Sequence, residues 1–115
     1  MSMKDTTTRL DMVARLELDE ANKNHPGFSS YHEGYAVIKE ELEELQEATV
    51  PVREVLDILW QVVRHDEVAT DKLLDELYEC ALYAAGEAVQ VAAMAMKFKT
   101  TLEVEKWDYA EQKSI

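Results

Sequence analysis

The chain has 115 residues, room for one domain, and carries 24 Asp and Glu against 12 Lys and Arg, a net charge of −12. With 3 Gly, 2 Pro and 1 Cys it is too poor in turn formers for a β-sandwich or barrel, and it cannot build an intramolecular disulfide framework or a Cys-rich zinc site. The sign of the charge opposes direct contact with nucleic acid or anionic lipid, while 47% hydrophobic residues set the chain apart from a disordered acidic tail.

Residues 1–15 hold no apolar run behind a basic cluster, so they do not read as a signal peptide, and the cytoplasm is the expected location. A first helix is predicted from Thr7 to Lys23, with Leu10, Val13, Ala14, Leu16 and Leu18 as a ragged apolar face. It stops before Asn24-His25-Pro26-Gly27. A second runs from Tyr31 to Ala48. It opens on the capping box Ser30-Tyr31-His32-Glu33, and Tyr31, Tyr35, Ile38, Leu42 and Leu45 form its core-facing stripe. Thr49-Val50-Pro51 reads as a break, with a third helix from Pro51 to Arg64 carrying Val52, Val55, Leu56, Leu59 and Val63.

A fourth helix starts after Thr70, a suitable N-cap, and continues to Phe98. Leu74, Leu77, Ala81, Ala85, Ala88, Ala92 and Met96 trace its face, and Gly86 marks a close helix contact or a bend. Its window Cys80–Phe98 has the length of a membrane span. Glu87, Gln90 and Lys97 interrupt it, so it reads as a buried helix of a soluble protein. Residues 91–96 contain no polar side chain, which predicts an oligomer interface there. Residues 100–115 are expected to be a docking arm, through Leu102, Val104, Trp107 and Tyr109, or a flexible tail. The expectation is a single all-α domain over 1–115. It is a helical bundle of about four helices, completed by oligomerisation into a homodimer or homotetramer.

The run Glu40-Glu41-Leu42-Glu43-Glu44 places Glu40, Glu41 and Glu44 on one helix face, Glu41 nearest the apolar stripe. Such a face is either solvated or a site for a hard cation such as Mg²⁺, which prefers carboxylate oxygens. Glu87 sits in the apolar window with Gln90 three residues on. A carboxylate there is costly unless it reaches water, is protonated or is paired with a cation. A metal held between Glu87 and the Glu40, Glu41, Glu44 face would resolve both difficulties.

The run from His25 through Phe28-Ser29-Ser30-Tyr31-His32-Glu33-Gly34-Tyr35 to Glu40-Glu41-Leu42-Glu43-Glu44-Leu45 resembles the first half of MazG-like all-α nucleoside triphosphate pyrophosphohydrolases, in their small bacterial and phage-type branch. Glu87-Ala88-Val89-Gln90-Val91-Ala92-Ala93-Met94-Ala95-Met96 resembles the second signature helix of that branch. The resemblance covers about residues 20–98. It implies a hydrolase that binds Mg²⁺, or Mn²⁺ in its place, through E-E-x-x-E on one helix and E-x-x-D on a later one. Water then attacks the α-phosphorus, giving nucleoside monophosphate and pyrophosphate. Carried over, Glu40, Glu41 and Glu44 match the first element and Glu87 the second. Glu41 and Glu44 are the catalytic candidates, and Gln90 stands where the family usually has Asp. An amide can ligate a hard cation but cannot act as a base. The gap between Glu44 and Glu87 is longer than usual, and Glu76 with Glu79 form a second E-x-x-E pair within it.

Ser30, His32 and Lys97 are weaker candidates for substrate contact; Ser30 also reads as a cap and Lys97 as a solvated side chain. Cys80 reads as a small core residue. The chain has no Gly-rich phosphate loop. The leading expectation is an Mg²⁺-dependent pyrophosphohydrolase that binds a nucleoside triphosphate, touching neither nucleic acid nor membrane directly. The alternatives are an acidic protein imitating nucleic acid, or a family relative that binds nucleotide with little turnover.

Overall fold

The structure is a computed structural model describing the backbone of residues 1–113 and side chains through Leu102. The described residues fold all-α, as expected, into α1 (Met3–Asn24), α2 (Tyr31–Arg64) and α3 (Asp71–Lys113). None of these helices is long and apolar enough to cross a membrane.

Each helix start is capped by a hydroxyl. Ser2 Oγ accepts from the Asp5 N–H, Ser30 Oγ from Glu33 N–H and Thr70 Oγ1 from Leu73 N–H, each supplying a backbone donor that the first turn leaves unpaired. Ser2 therefore starts α1 four residues before the predicted Thr7. At the far end of α2, Glu67 N–H donates to Val62 O and Asp66 N–H to Val63 O, with Asp66 in the left-handed region at φ 55°. This is a Schellman stop with Asp where Gly is usual.

The second and third predicted helices are one. Pro51 lies inside α2 and does not end it. A proline in a helix interior costs about 3 kcal/mol and leaves the carbonyl of Glu47 without its helical donor. The ring itself faces solvent, while the buried line runs on through Ala48, Val52 and Val55 without a change of phase. Packing on both sides of the break thus holds the helix together.

The buried lines differ from the predicted stripes. Along α2 the inward positions are Gly34, Ile38, Glu41, Leu45, Ala48, Val52, Val55, Leu59 and Val62, alternating four and three residues apart. That line is rotated by roughly 60° from the predicted one, at about 100° per residue. Tyr31, Tyr35 and Leu42 are exposed instead. Along α3 the corresponding line is Leu73, Leu77, Cys80, Ala84, Glu87, Val91, Met94, Phe98 and Thr101. The predicted Ala81, Ala85, Ala88 and Ala92 face outward. The rotation carries Glu41 and Glu87 into lines that are otherwise mostly apolar.

The chain divides into two compact units, Met1–Glu40 with Val89–Ile115, and Glu41–Ala88. In the first, Val89, Ala93 and Met94 are the buried apolar residues. Gly34 lets the helix approach an aromatic cluster closely: a Cβ there would overlap Cδ2 and Cε2 of Phe98 and meet Cδ2 of Phe28 at 3.2 Å. Phe98 packs tilted on Phe28 and Tyr31, with ring centroids 6.1 and 5.8 Å apart. Residues 91–96 belong to this unit, and only Ala92 and Ala95 of the six are exposed, so the chain itself covers most of the stretch. The second unit is a hairpin of residues 41–64 and 71–88. Among its residues only Ala48 and Val55 are buried. Gly86 has no atom within 4 Å of a Cβ position, so no close contact within the chain explains it. Of the expected docking arm, the backbone through Lys113 continues α3, while Val104, Trp107 and Tyr109 lie outside the described side chains.

Candidate metal centre

The second unit brings three glutamates together. Glu41 and Glu44 lie one turn apart on α2, and Glu87 comes from α3. One carboxylate oxygen from each lies within 4.8 Å of the others. Glu41 and Glu87 are half-buried and Glu44 is exposed. Glu41 and Glu87 hold inward positions in the seam, which is why two helices can present charge to a common point.

The donor set suits a hard divalent cation. Around Mg²⁺, with metal–oxygen distances of about 2.1 Å, neighbouring ligand oxygens sit about 3 Å apart and opposite ones about 4.2 Å apart. The separation of up to 4.8 Å in the cluster is near the upper of those values. Carboxylates alone, without imidazole or thiolate, favour Mg²⁺ or Mn²⁺ over zinc.

Glu44 and Glu87 also line an open cleft of about 460 Å³ together with Glu47, Ala48, Pro51 and Tyr83. Tyr83 lies one turn before Glu87. The Glu87 carboxylate raises the Tyr83 phenol above its ordinary pKa, by its negative charge first and by accepting the phenol's hydrogen bond second, with Glu44 adding to the effect. Sequence reasoning missed Tyr83; its signal was the i, i+4 spacing to Glu87.

Other predicted site residues lie elsewhere. Glu40 is exposed and is not part of the three-carboxylate group. The Gln90 amide donates to Glu17 Oε2 on α1 at 2.9 Å, inside the first unit. Ser30 Oγ is engaged as the α2 cap, and His32 is exposed. Glu76 and Glu79 both face solvent. Lys97 is buried, with its Nζ 4.8 Å from the centroid of the Phe28 ring. Comparison with family models, with curated proteins and with solved structures gives no match for this chain.

Proposed function

We propose that the protein is a divalent-cation-dependent nucleoside triphosphate pyrophosphohydrolase. The observation that carries this reading is the convergence of Glu41, Glu44 and Glu87, two of them at inward seam positions where an apolar side chain would pack better. All three are among the five positions, with Glu40 and Gln90, that the MazG-like resemblance designates for metal binding.

Glu41, Glu44 and Glu87 would hold Mg²⁺ or Mn²⁺. When bound, the cation supplies charge neutralisation for the triphosphate and acidifies water. Glu41 and Glu87, half-buried, fix the position at which the phosphates gather. Glu44, the most solvent-facing of the three, is placed to accept a hydrogen bond from the attacking water and orient it toward the α-phosphorus. Tyr83 stands beside Glu87 on the cleft side, where the carboxylate's charge raises the phenol's pKa. Gln90 is spent on Glu17, so this reading assigns the catalytic carboxylates to the other three. Incubation with Mg²⁺ and a panel of nucleoside triphosphates should release pyrophosphate. Equal release by a Glu41→Ala variant, or none by the unaltered protein, overturns the proposal.

The same reading takes the chain as a homodimer or homotetramer. Its support lies in the second unit rather than in residues 91–96. Leu56, Ile58, Trp60, Val63 and Leu82 are each more than half exposed there. Covering them would contribute about 1 kcal/mol per side chain, enough together to drive association. Light scattering on the eluted protein should give a mass of two or four chains, and a strictly monomeric mass counts against it.

A further inference from the structure

A lysine side chain keeps its ammonium in water unless something else stabilises the charge. Lys97 retains 6% of its exposure, yet the chain, with 24 carboxylates, places none of the described ones against it. Among the described residues, the partner that stabilises its charge is the face of Phe28. A cation–π contact of this kind contributes about 0.5–2 kcal/mol and holds the ammonium over the ring. No described buried side-chain nitrogen lacks a partner, so Nζ, having no hydrogen bond, still meets solvent. The ammonium is therefore not sealed from solvent.

Its backing is also locked. The Phe28 N–H donates to Thr101 Oγ1 at 2.9 Å, and the Thr101 hydroxyl donates to the Lys97 carbonyl at 2.9 Å. The Phe28 ring rests on Phe98, which in turn fills the space left by Gly34. The lysine thus meets a wall fixed before any ligand arrives, unlike a surface lysine that is free to swing.

We infer that Lys97, backed by Phe28, is a binding site for the phosphoryl group of an anionic ligand. A compact ammonium suits a phosphate as a point charge, and an incoming dianion supplies a counter-charge that none of the described carboxylates provides. The identification of that ligand as a nucleotide or pyrophosphate rests on the proposed function; the anion site does not.

The experiment is calorimetric titration of pyrophosphate into the full-length protein in EDTA, at physiological ionic strength. The expected result is one site per chain, weakened on the order of tenfold or more in Lys97→Met, within a few-fold of the original in Lys97→Arg, and unchanged in Glu41→Ala. Independently, pyrophosphate should protect Lys97 of the unaltered protein from amine acylation, read by mass spectrometry. Absence of binding without metal, equal binding by Lys97→Met, or acylation at an unprotected Lys97 each overturns the inference. Pyrophosphate bound at Lys97 in a protein that hydrolyses no nucleotide leaves this site standing and removes the proposed function. Hydrolysis without metal-free binding does the reverse.

Discussion

Two helical glycines should respond to the same substitution with opposite signs. Replacing an interior helical Gly by Ala ordinarily stabilises by about 0.8–1 kcal/mol, because the backbone loses less entropy on folding. At Gly86 nothing lies within 4 Å of the new Cβ, so Gly86→Ala should show that gain in full. At Gly34 the new methyl would overlap the Phe98 ring. To reach ordinary carbon–carbon separation the ring must retreat by roughly 1.5 Å. That retreat disturbs the Phe98 pairs with Phe28 and Tyr31, worth about 0.5–1.5 kcal/mol each. Overpacking adds about 1–3 kcal/mol. Set against the helical gain, Gly34→Ala should destabilise by about 2 kcal/mol, a drop of roughly 8 °C in melting temperature. Urea unfolding followed by circular dichroism measures both variants, and adding Phe98→Leu to Gly34→Ala should recover much of the loss. Stabilisation by Gly34→Ala, or no coupling to Phe98, would refute the close approach.

Three further outcomes follow from the carboxylate cluster and the interhelical turn. Each pair among Glu41, Glu44 and Glu87 repels by about 1 kcal/mol in water-like surroundings. Glu87→Gln relieves two such pairs, so it should raise metal-free stability by about 1–2 kcal/mol while abolishing any rise in melting temperature on adding Mg²⁺; a loss of metal-free stability contradicts the repulsion. The phenol of Tyr83, raised by Glu87, should keep its proton to higher pH than an ordinary tyrosine. Glu87→Gln or bound Mg²⁺ should bring its midpoint back down toward about 10, read as the phenolate absorbance difference between the unaltered protein and Tyr83→Phe. An unchanged midpoint separates Tyr83 from the cluster. Asp66→Gly should stabilise by about 1 kcal/mol, because Asp66 occupies the left-handed region that Gly enters without strain; destabilisation in chemical denaturation counts against the Schellman assignment.

The helical class was legible because its signals are local. Ser30 and Thr70 cap where their hydroxyls predicted, and α2 ends at Arg64 as read. The faces were less legible, since a stripe drawn through apolar residues omits Gly34, Glu41, Cys80 and Glu87. Cys80 packs as a small apolar side chain, while Gly34 and the two glutamates are inward for reasons other than hydrophobicity. Gly34 admits a ring, and the glutamates meet one another. Alanine misled in the other direction: it favours helix whether or not it is covered, so Ala81, Ala85 and Ala88 drew a face that lies in solvent. Pro51 carries a strong local signal, yet the seam on either side outweighs it. The grouping of Glu41, Glu44 and Glu87 needed the fold, because Glu41 and Glu44 come from a different helix than Glu87.

The sparse interior of the hairpin couples its stability to whatever occupies it. With Ala48 and Val55 as its buried residues, the Glu41–Ala88 unit has a smaller buried interior than a ligand-independent hairpin would want. A ligand that binds only the folded form then draws part of its binding energy into ordering the helices. The apparent dissociation constant for a cation becomes the intrinsic one divided by the fraction of hairpins already formed. Cation affinity in this protein should therefore fall with sub-denaturing urea and rise with protein concentration if second copies cover the hairpin. Under the proposed function, metal binding, association and helix formation would be one linked equilibrium, read through three different measurements.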